Sequence, residues 1–237
     1  MQIDFSKACS DFLRSEYFAY GGEKLKASHS RELTAAFFGY KSHAALLAEK
    51  HYPLKNLGEA DVLIPNIELI EQRRNMLAGL PAALFSSHEI ASKLSKFLQE
   101  MHYFDGTVWL YESLEAYVTE VLLIKEDARI MDALSGVMAE TNATFGTEFG
   151  YYESADVIEE DDMVTVEVEG QYNGSPDSER PFCGDQIDMT VTVELPRVAG
   201  RAAFANPNIS ASGVVNDDWV DPELRFGHGS VPADNYK

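Results

Sequence analysis

Cysteine is scarce in this sequence of 237 residues, and the two cysteines that occur lie far apart. Cys9 and Cys183 have no Cys-x-x-Cys partner and no histidine at the spacing of a metal site. The pattern excludes a disulfide-rich framework and a zinc site built on paired cysteines. We therefore expect both thiols to be reduced. The alternative is a long-range disulfide between them, which depends on their distance in space and not on the sequence pattern.

Long apolar runs are also missing. No stretch approaches the roughly 20 consecutive apolar residues that a membrane-spanning helix needs. Residues 1–10 lack the basic block followed by an apolar block that marks a secretory signal. From these two absences we expect a cytoplasmic protein that does not engage a membrane.

Basic residues are few: 19 Lys and Arg stand against 39 Asp and Glu, which gives a formal charge of −20. Residues 138–237 carry 20 acidic and five basic residues and so account for −15 of that charge. Such a field repels nucleic-acid phosphates and attracts a basic protein surface. We expect a protein partner with a basic surface and no nucleic acid. The competing interpretation is that the acidity only maintains solubility.

Motifs of familiar catalytic chemistry are absent as well. The chain contains no Gly-x-Ser-x-Gly elbow, no His-Glu-x-x-His helix, no phosphate loop and no dinucleotide fingerprint. Carboxylates are plentiful, but acids on every outward position of a strand are more simply a solvated face than a catalytic pair. The sequence therefore predicts no catalytic residue, no metal ligand and no cofactor.

Before residue 140, apolar residues recur at the spacing of helices. The clearest helix starts at Ser86, which forms a capping-box pattern with Glu89 and precedes an apolar stripe that runs to Met101. Further helices are predicted from the apolar stripes within residues 3–18, 33–40, 44–48, 108–124 and 127–140.

After residue 140 the apolar period changes to two. Residues 163–172 and 185–195 alternate between apolar and polar side chains, which predicts two strands with one face buried. We therefore predict an α+β fold with a mainly helical domain over residues 1–140. An antiparallel β domain with an acidic face and an irregular tail is predicted over residues 141–237.

The solvent-facing positions of the two strands are mostly acidic. The long connection between them adds a cation and an aromatic ring, a composition suited to partner contacts. The candidate partner-binding residues are Glu167, Glu169, Asp188, Glu194, Arg180 and Phe182.

The stretch SHSRELTAAFFGYKSHAALLAE, residues 28–49, has the outline of a helix-turn-helix. Ala35 and Gly39 suit the first helix and the turn. The second helix would present Leu46 and Leu47 outward, with few cations for DNA. The alternative is a packing unit in which Phe37 packs on Leu47, Ser28 or Ser30 caps the helix and Gly39 ends it.

The same residues resemble a short helical module that occurs beside glyoxalase-like domains and in uncharacterised bacterial proteins, some of which belong to mobile elements. The module implies no chemistry of its own. A glyoxalase-type site needs several His and Glu ligands, whereas residues 141–237 contain only His228. The resemblance rests on Ser28, His29, Ser30, Glu32, Leu33, Ala35, Gly39, Tyr40, Ser42, Ala45 and Leu46.

Three functions follow as hypotheses. The first is a non-enzymatic bacterial accessory or regulatory protein that binds another protein through its acidic surface. The second is an enzyme of unrecognised type with a site between the helical and β parts. The third is a helix-turn-helix regulator that binds DNA.

Overall fold

The computed structural model describes residues 4–111, 113–146, 151–179 and 184–218. They form a mixed α+β structure whose sheet is mostly antiparallel. The predicted order of helices followed by strands holds only roughly, because two short strands lie within the helical part. The predicted division into domains at residue 140 stays a prediction.

The helices differ widely in length. Among the described helices, none has the length and apolar character needed to cross a bilayer. The α-helices are α1 (Phe5–Gly21), α2 (Ala27–Phe37), α3 (His43–Ala48), α4 (Ile67–Met76), α5 (Ser87–Glu100), α6 (Leu114–Tyr117), α7 (Leu123–Lys125) and α8 (Asp127–Met138). A 3-10 helix spans Leu54–Glu59, and a π-helix spans Val118–Leu122.

Most strands belong to one sheet with the order β2-β1-β8-β7-β5-β4, in which β9 also pairs with β7. A second, two-stranded sheet is formed by β3 and β6. The strands are β1 (Val62–Leu63), β2 (Thr107–Val108), β3 (Ala143–Thr144), β4 (Tyr151–Glu159), β5 (Met163–Asn173), β6 (Ser175–Pro176), β7 (Gln186–Ala199), β8 (Ala203–Phe204) and β9 (Asn208–Val215).

The chain divides into two compact units, each made of separate segments. The first unit contains Met1–Val118, Val157–Val166 and Val193–Asn208. The second unit contains Thr119–Asp156, Glu167–Thr192 and Ile209–Lys237. Strands β5 and β7 contribute residues to both units.

The core of the first unit is built on the apolar stripes of its four longest helices. Leu13, Leu33, Ile70 and Leu94 are fully buried, one from each of α1, α2, α4 and α5. The capping box predicted for α5 is present, with the Ser86 side chain accepting from the Glu89 N–H and the Glu89 carboxylate accepting from the Ser86 N–H. Local capping and apolar spacing therefore agree on where this helix starts.

In the second unit, α8 supplies Ile130 and Leu134 to the buried side of the strands. At the start of α8, the Tyr172 hydroxyl donates a hydrogen bond to the buried Asp127 carboxylate. Burial, followed by the charge of Asp127, raises the pKa of Tyr152 to about 12. Because a buried carboxylate needs donors, this contact holds α8 to β5.

The alternation predicted for the two strands is confirmed. Val164, Val166 and Val168 of β5 are buried, and every second residue of β7 from Ile187 to Ala199 is buried. The predicted long connection is also present, since 12 residues lie between β5 and β7, with 180–183 outside the described residues.

Other expectations from the sequence were wrong in detail. The helix predicted within residues 108–124 starts only at Leu114, because the Ser113 hydroxyl caps it and residues 107–108 form β2 instead. The cap expected from Ser28 or Ser30 is missing; the N-cap of α2 is Lys26, which makes no side-chain cap hydrogen bond. Ser30 is buried and lies 2.7 Å from the hydroxyl of Ser10 on α1, a long-range contact that local capping rules do not capture.

Residues 28–49 do form two helices around a tight turn. Gly39 has a φ of 82°, as predicted for a left-handed helix end. Ser42 caps α3 by accepting from the Ala45 N–H at 3.1 Å. Glu32 on α2 accepts from Arg73 on α4 at 2.5 Å and from the His43 N–H at 3.3 Å. The two helices are thus fastened to the helical core.

The predicted packing of Phe37 on Leu47 is wrong. Phe37 is buried, but Leu47 is 64% exposed, and its neighbour Leu46 is the buried residue at 5%. A helix of six residues carries too few turns for its apolar stripe to fix the inward position from sequence.

The two leucines form a matched pair for testing this packing. Leu46→Ala should lower the free energy of unfolding by about 2–4 kcal/mol, because it removes buried methyl groups and leaves a cavity. Leu47→Ala should change it by less than about 0.5 kcal/mol, because its side chain faces water. Urea denaturation of both variants measures the difference. Equal losses would mean that α3 is not packed as described.

Candidate interaction site on the acidic sheet face

The predicted acidic face is present in the second unit. Glu167 and Glu169 lie on β5 and are exposed, while Asp188 on β7 is half-buried and Thr190 is exposed. The buried face of both strands is apolar, so the strand period forces these polar side chains outward. The residues therefore share a face for the reason that the sequence suggested.

A groove of about 570 Å³ lies on this face, within the second unit. Carboxylates from four segments line it: Glu153 of β4, Glu169 of β5, Asp188 of β7, and Asp218 after β9. Among the described residues that line the groove, none is Lys, Arg or His. The groove thus presents negative charge from several directions.

Hydrogen bonds fix part of the groove. The Asn216 side chain donates to both carboxylate oxygens of Asp188, at 3.2 and 2.9 Å. The Gln186 side chain donates to Gln171 Oε1 at 2.6 Å, which joins β7 to β5. Because the amide of Asn216 is uncharged, it orients the Asp188 carboxylate but does not neutralise its negative charge.

The carboxylate of Glu194 belongs to the first unit, where it accepts a hydrogen bond from Asn208 Nδ2 at 3.0 Å. It does not line the groove. Glu167 does not line it either, although it lies on the outward side of β5 next to Glu169. Arg180 and Phe182, the other two predicted residues, lie outside the described residues, as does Cys183.

Several residues that line the groove were not predicted from the sequence. Glu153 and Asp218 were not among the predicted partner-binding residues. The available signal was weak, because β9 has one buried residue, Ile209, followed by partly exposed positions. Gly213 was a usable hint, since a glycine inside a strand often marks a close approach of another backbone.

That close approach is visible in the structure. A Cβ atom on Gly213 would lie 2.9 Å from the Asp188 carbonyl oxygen and 2.9 Å from Cγ2 of Ile187. It would also lie 3.1 Å from Leu134 on α8. The absence of a side chain at Gly213 therefore allows β9 to lie against β7 beside the groove.

Other candidate sites carry less chemistry. Among the described residues, no group of three or more His, Cys, Asp or Glu side chains is arranged to hold a metal ion. Cys9 is a free, fully buried thiol, and burial raises its pKa far above the ordinary value. A protonated, inaccessible thiol is a poor nucleophile.

The exposed side of α3 is the part of the helix-turn-helix outline that would have to contact DNA. Ala44, Ala45, Leu47 and Ala48 are exposed there, and none of them can donate a hydrogen bond from its side chain to a base or a phosphate. Leu46, expected to face outward in a DNA-binding arrangement, is buried instead. The expectation that the chain does not bind nucleic acid stays a prediction.

Comparisons with protein-family models, with curated proteins and with solved structures find no match. The resemblance of residues 28–49 to the glyoxalase-associated module therefore stays a resemblance. The function has to be inferred from the chemistry of the chain itself.

The position of Gly213 leads to a prediction on stability. Gly213→Ala should lower the free energy of unfolding by about 1–3 kcal/mol, because the added methyl group collides with the β7 backbone. Ser210→Ala, an exposed position of the same strand, should change it by less than about 0.5 kcal/mol. Thermal unfolding of both variants provides the measurement. An unchanged midpoint for Gly213→Ala would contradict the close approach of β9 to β7.

Proposed function

We propose that this chain is a non-enzymatic accessory or regulatory protein of the bacterial cytoplasm that binds a protein partner through its acidic groove. The observation that carries the proposal is the set of four carboxylates, Glu153, Glu169, Asp188 and Asp218, that line about 570 Å³ of concave surface. The expected partner presents lysine or arginine side chains on a protruding segment.

Charge complementarity supports this assignment. An acidic groove concentrates field lines and speeds the approach of a basic partner, and the effect falls with ionic strength. Glu169 of β5 and Asp188 of β7 are like charges that line the same groove. A cationic ligand bound there would offset their mutual repulsion.

The shape of the surface supports it as well. A solubility device needs only convex, scattered charge, whereas these carboxylates converge on a concavity. The groove is framed by strands, and its Asp188 carboxylate is held by Asn216. Side chains that are already oriented lose less conformational entropy when a partner binds.

A cationic peptide provides a direct probe of the groove. A fluorescein-labelled peptide of eight lysines should bind the protein, and a Glu153→Lys/Glu169→Lys double variant should weaken binding at least tenfold, which is about 1.4 kcal/mol. Fluorescence anisotropy at 50 and 200 mM salt gives both affinities. Binding to the parent should fall as salt rises.

The control makes the same change of charge elsewhere in the second unit. Asp132 and Glu140 are exposed at or beyond α8 and do not line the groove. An Asp132→Lys/Glu140→Lys variant should bind the peptide within about twofold of the parent if only the groove matters, apart from the screened long-range field. Equal weakening by both double variants would show that net charge alone attracts the peptide, and the proposal would fail.

The natural partner can be trapped from the same surface. Thr190 is exposed and lines the groove, so a photo-crosslinking amino acid at this position should label a protein with a basic surface when the host cells are irradiated. Ser135 on α8 is exposed away from the groove and serves as the control position. Mass spectrometry identifies the product. Identical labelling patterns from the two positions would argue against a groove-specific partner.

A further inference from the structure

Strand β7 ends with an arginine on its buried face. The inward positions of this strand continue from Val193 and Leu195 to Arg197, which is only 8% exposed. The alternation of side chains along a strand therefore forces a guanidinium into a place where the preceding residues are aliphatic. A buried cation costs free energy unless it is paired.

The internal contacts of Arg197 leave its charge unpaired. Its Nη2 donates to the backbone carbonyl of Glu160 at 3.2 Å, and its guanidinium lies 5.8 Å from the ring centre of Phe204. Its Nε is buried without an acceptor. A guanidinium has five N–H donors, so one carbonyl satisfies only a small part of it.

A second arginine lies on the same wall. Arg201 is exposed, its backbone N–H donates to the Phe38 carbonyl at 3.1 Å, and its guanidinium lies 5.8 Å from the ring centre of Tyr40. Within the described residues, no carboxylate lies within 4.0 Å of the guanidinium of Arg197 or Arg201. Both guanidiniums therefore lack an ion pair in the described part of the chain, although the chain has about two acidic residues for each basic one.

One carboxylate that lines a cavity together with these arginines, that of Glu49, already has hydrogen-bond donors. Glu49 accepts hydrogen bonds from the Tyr40 hydroxyl at 2.8 Å and from the backbone N–H groups of His51 and Tyr52 at 2.8 and 3.2 Å. Burial opposes ionisation of Glu49, but these hydrogen bonds outweigh it and hold its pKa below the ordinary value. Burial and the hydrogen bond to Glu49 raise the pKa of Tyr40. The hydrogen bond between Tyr40 and Glu49 therefore joins the turn after α2 to the end of α3. Glu49 forms no ion pair with Arg197 or Arg201, so both guanidiniums can still bind a ligand.

Two cavities of the first unit share these arginines. One, of about 220 Å³, is also lined by His51, Tyr52 and Asp161, and the other, of about 300 Å³, has a mixed wall with polar groups and an apolar side. Ile64, Val164 and Phe204 contribute to that wall. A volume of this size suits a small organic molecule with an apolar body.

We propose that Arg197 and Arg201 bind the carboxylate of a small organic acid, whose apolar body occupies the 300 Å³ cavity. A guanidinium is planar and matches the two oxygens of a carboxylate. Glu68, Glu115 and Glu159 also line this cavity. They repel any anion, but a doubly charged phosphate more strongly than a singly charged carboxylate, so the carboxylate is the less disfavoured of the two. This site is separate from the acidic groove and does not depend on it.

Three probes distinguish the contributions that the ligand's charge, its apolar body and its valence make to binding. Phenylacetate carries a carboxylate on an apolar ring, phenylacetamide is its neutral counterpart, and inorganic phosphate is an anion without an apolar body. Isothermal titration calorimetry at pH 8.5, where inorganic phosphate is almost entirely the dianion, should show phenylacetate binding at least tenfold more tightly than either of the other two. Equal affinities for phenylacetate and phenylacetamide would eliminate the role of the arginines. Tighter binding of phosphate would overturn the carboxylate assignment.

Arginine variants locate the site. Arg201→Gln should weaken phenylacetate binding at least fivefold with little effect on the unfolding midpoint, because this side chain is exposed. Arg197→Gln should abolish binding. Arg31→Gln, which removes the same charge at an exposed position of α2 in the first unit, should leave the affinity within twofold of the parent. If Arg197→Gln does not fold, Arg201→Gln decides, since unchanged affinity in that variant contradicts the proposal.

Discussion

Strand β7 has hydrogen-bonded neighbours in β5, β8 and β9. Buried residues alternate with more exposed ones along its 14 residues, while its pairing with β8 shifts register between Arg197 and Ala199. This alternation assigns each residue either to the apolar interior or to the outer face. A shift of the strand by one residue would exchange Ile187 and Val191 for Asp188 and Thr192 in the interior. The apolar side of β7 therefore dictates which residues form the acidic face, and it also dictates the burial of Arg197 near the end of the strand.

Features that depend on a local pattern could be predicted from the sequence. The strand period predicted the buried valines of β5, and the pairing of Ser86 with Glu89 predicted the start of α5, because both patterns act over a few neighbouring residues. Gly39 was predictable for a similar reason, since a helix that ends in a sharp turn needs a residue that tolerates a positive φ. Glu167, Glu169, Asp188 and Glu194 follow directly from the strand period and lie on the outer positions as expected.

Features that depend on contacts distant in sequence could not be predicted in this way. Strands β1 and β2 have two residues each, too few to show a period, and they pair with each other and β1 with β8 across more than 40 residues. Glu153 and Asp218 reach the groove only because β4 and β9 add to the sheet. Arg197 differs from these, because extending the alternation of β7 by one step beyond Leu195 would have placed it inside.

The acidic groove and the arginine pair differ in what they cost the fold. Carboxylates on an outer strand face stay hydrated and screened, so their mutual repulsion is small and costs the fold little stability. A guanidinium that is 8% exposed has lost most of its water and has gained one carbonyl acceptor in return. Replacing a buried ion by an apolar residue is often neutral or stabilising, and an aliphatic residue would suit the inward position that follows Leu195. The Glu160 carbonyl and the Phe204 ring are the contacts that Arg197 has in place of an ion pair, and the anion proposed above would supply the missing negative charge.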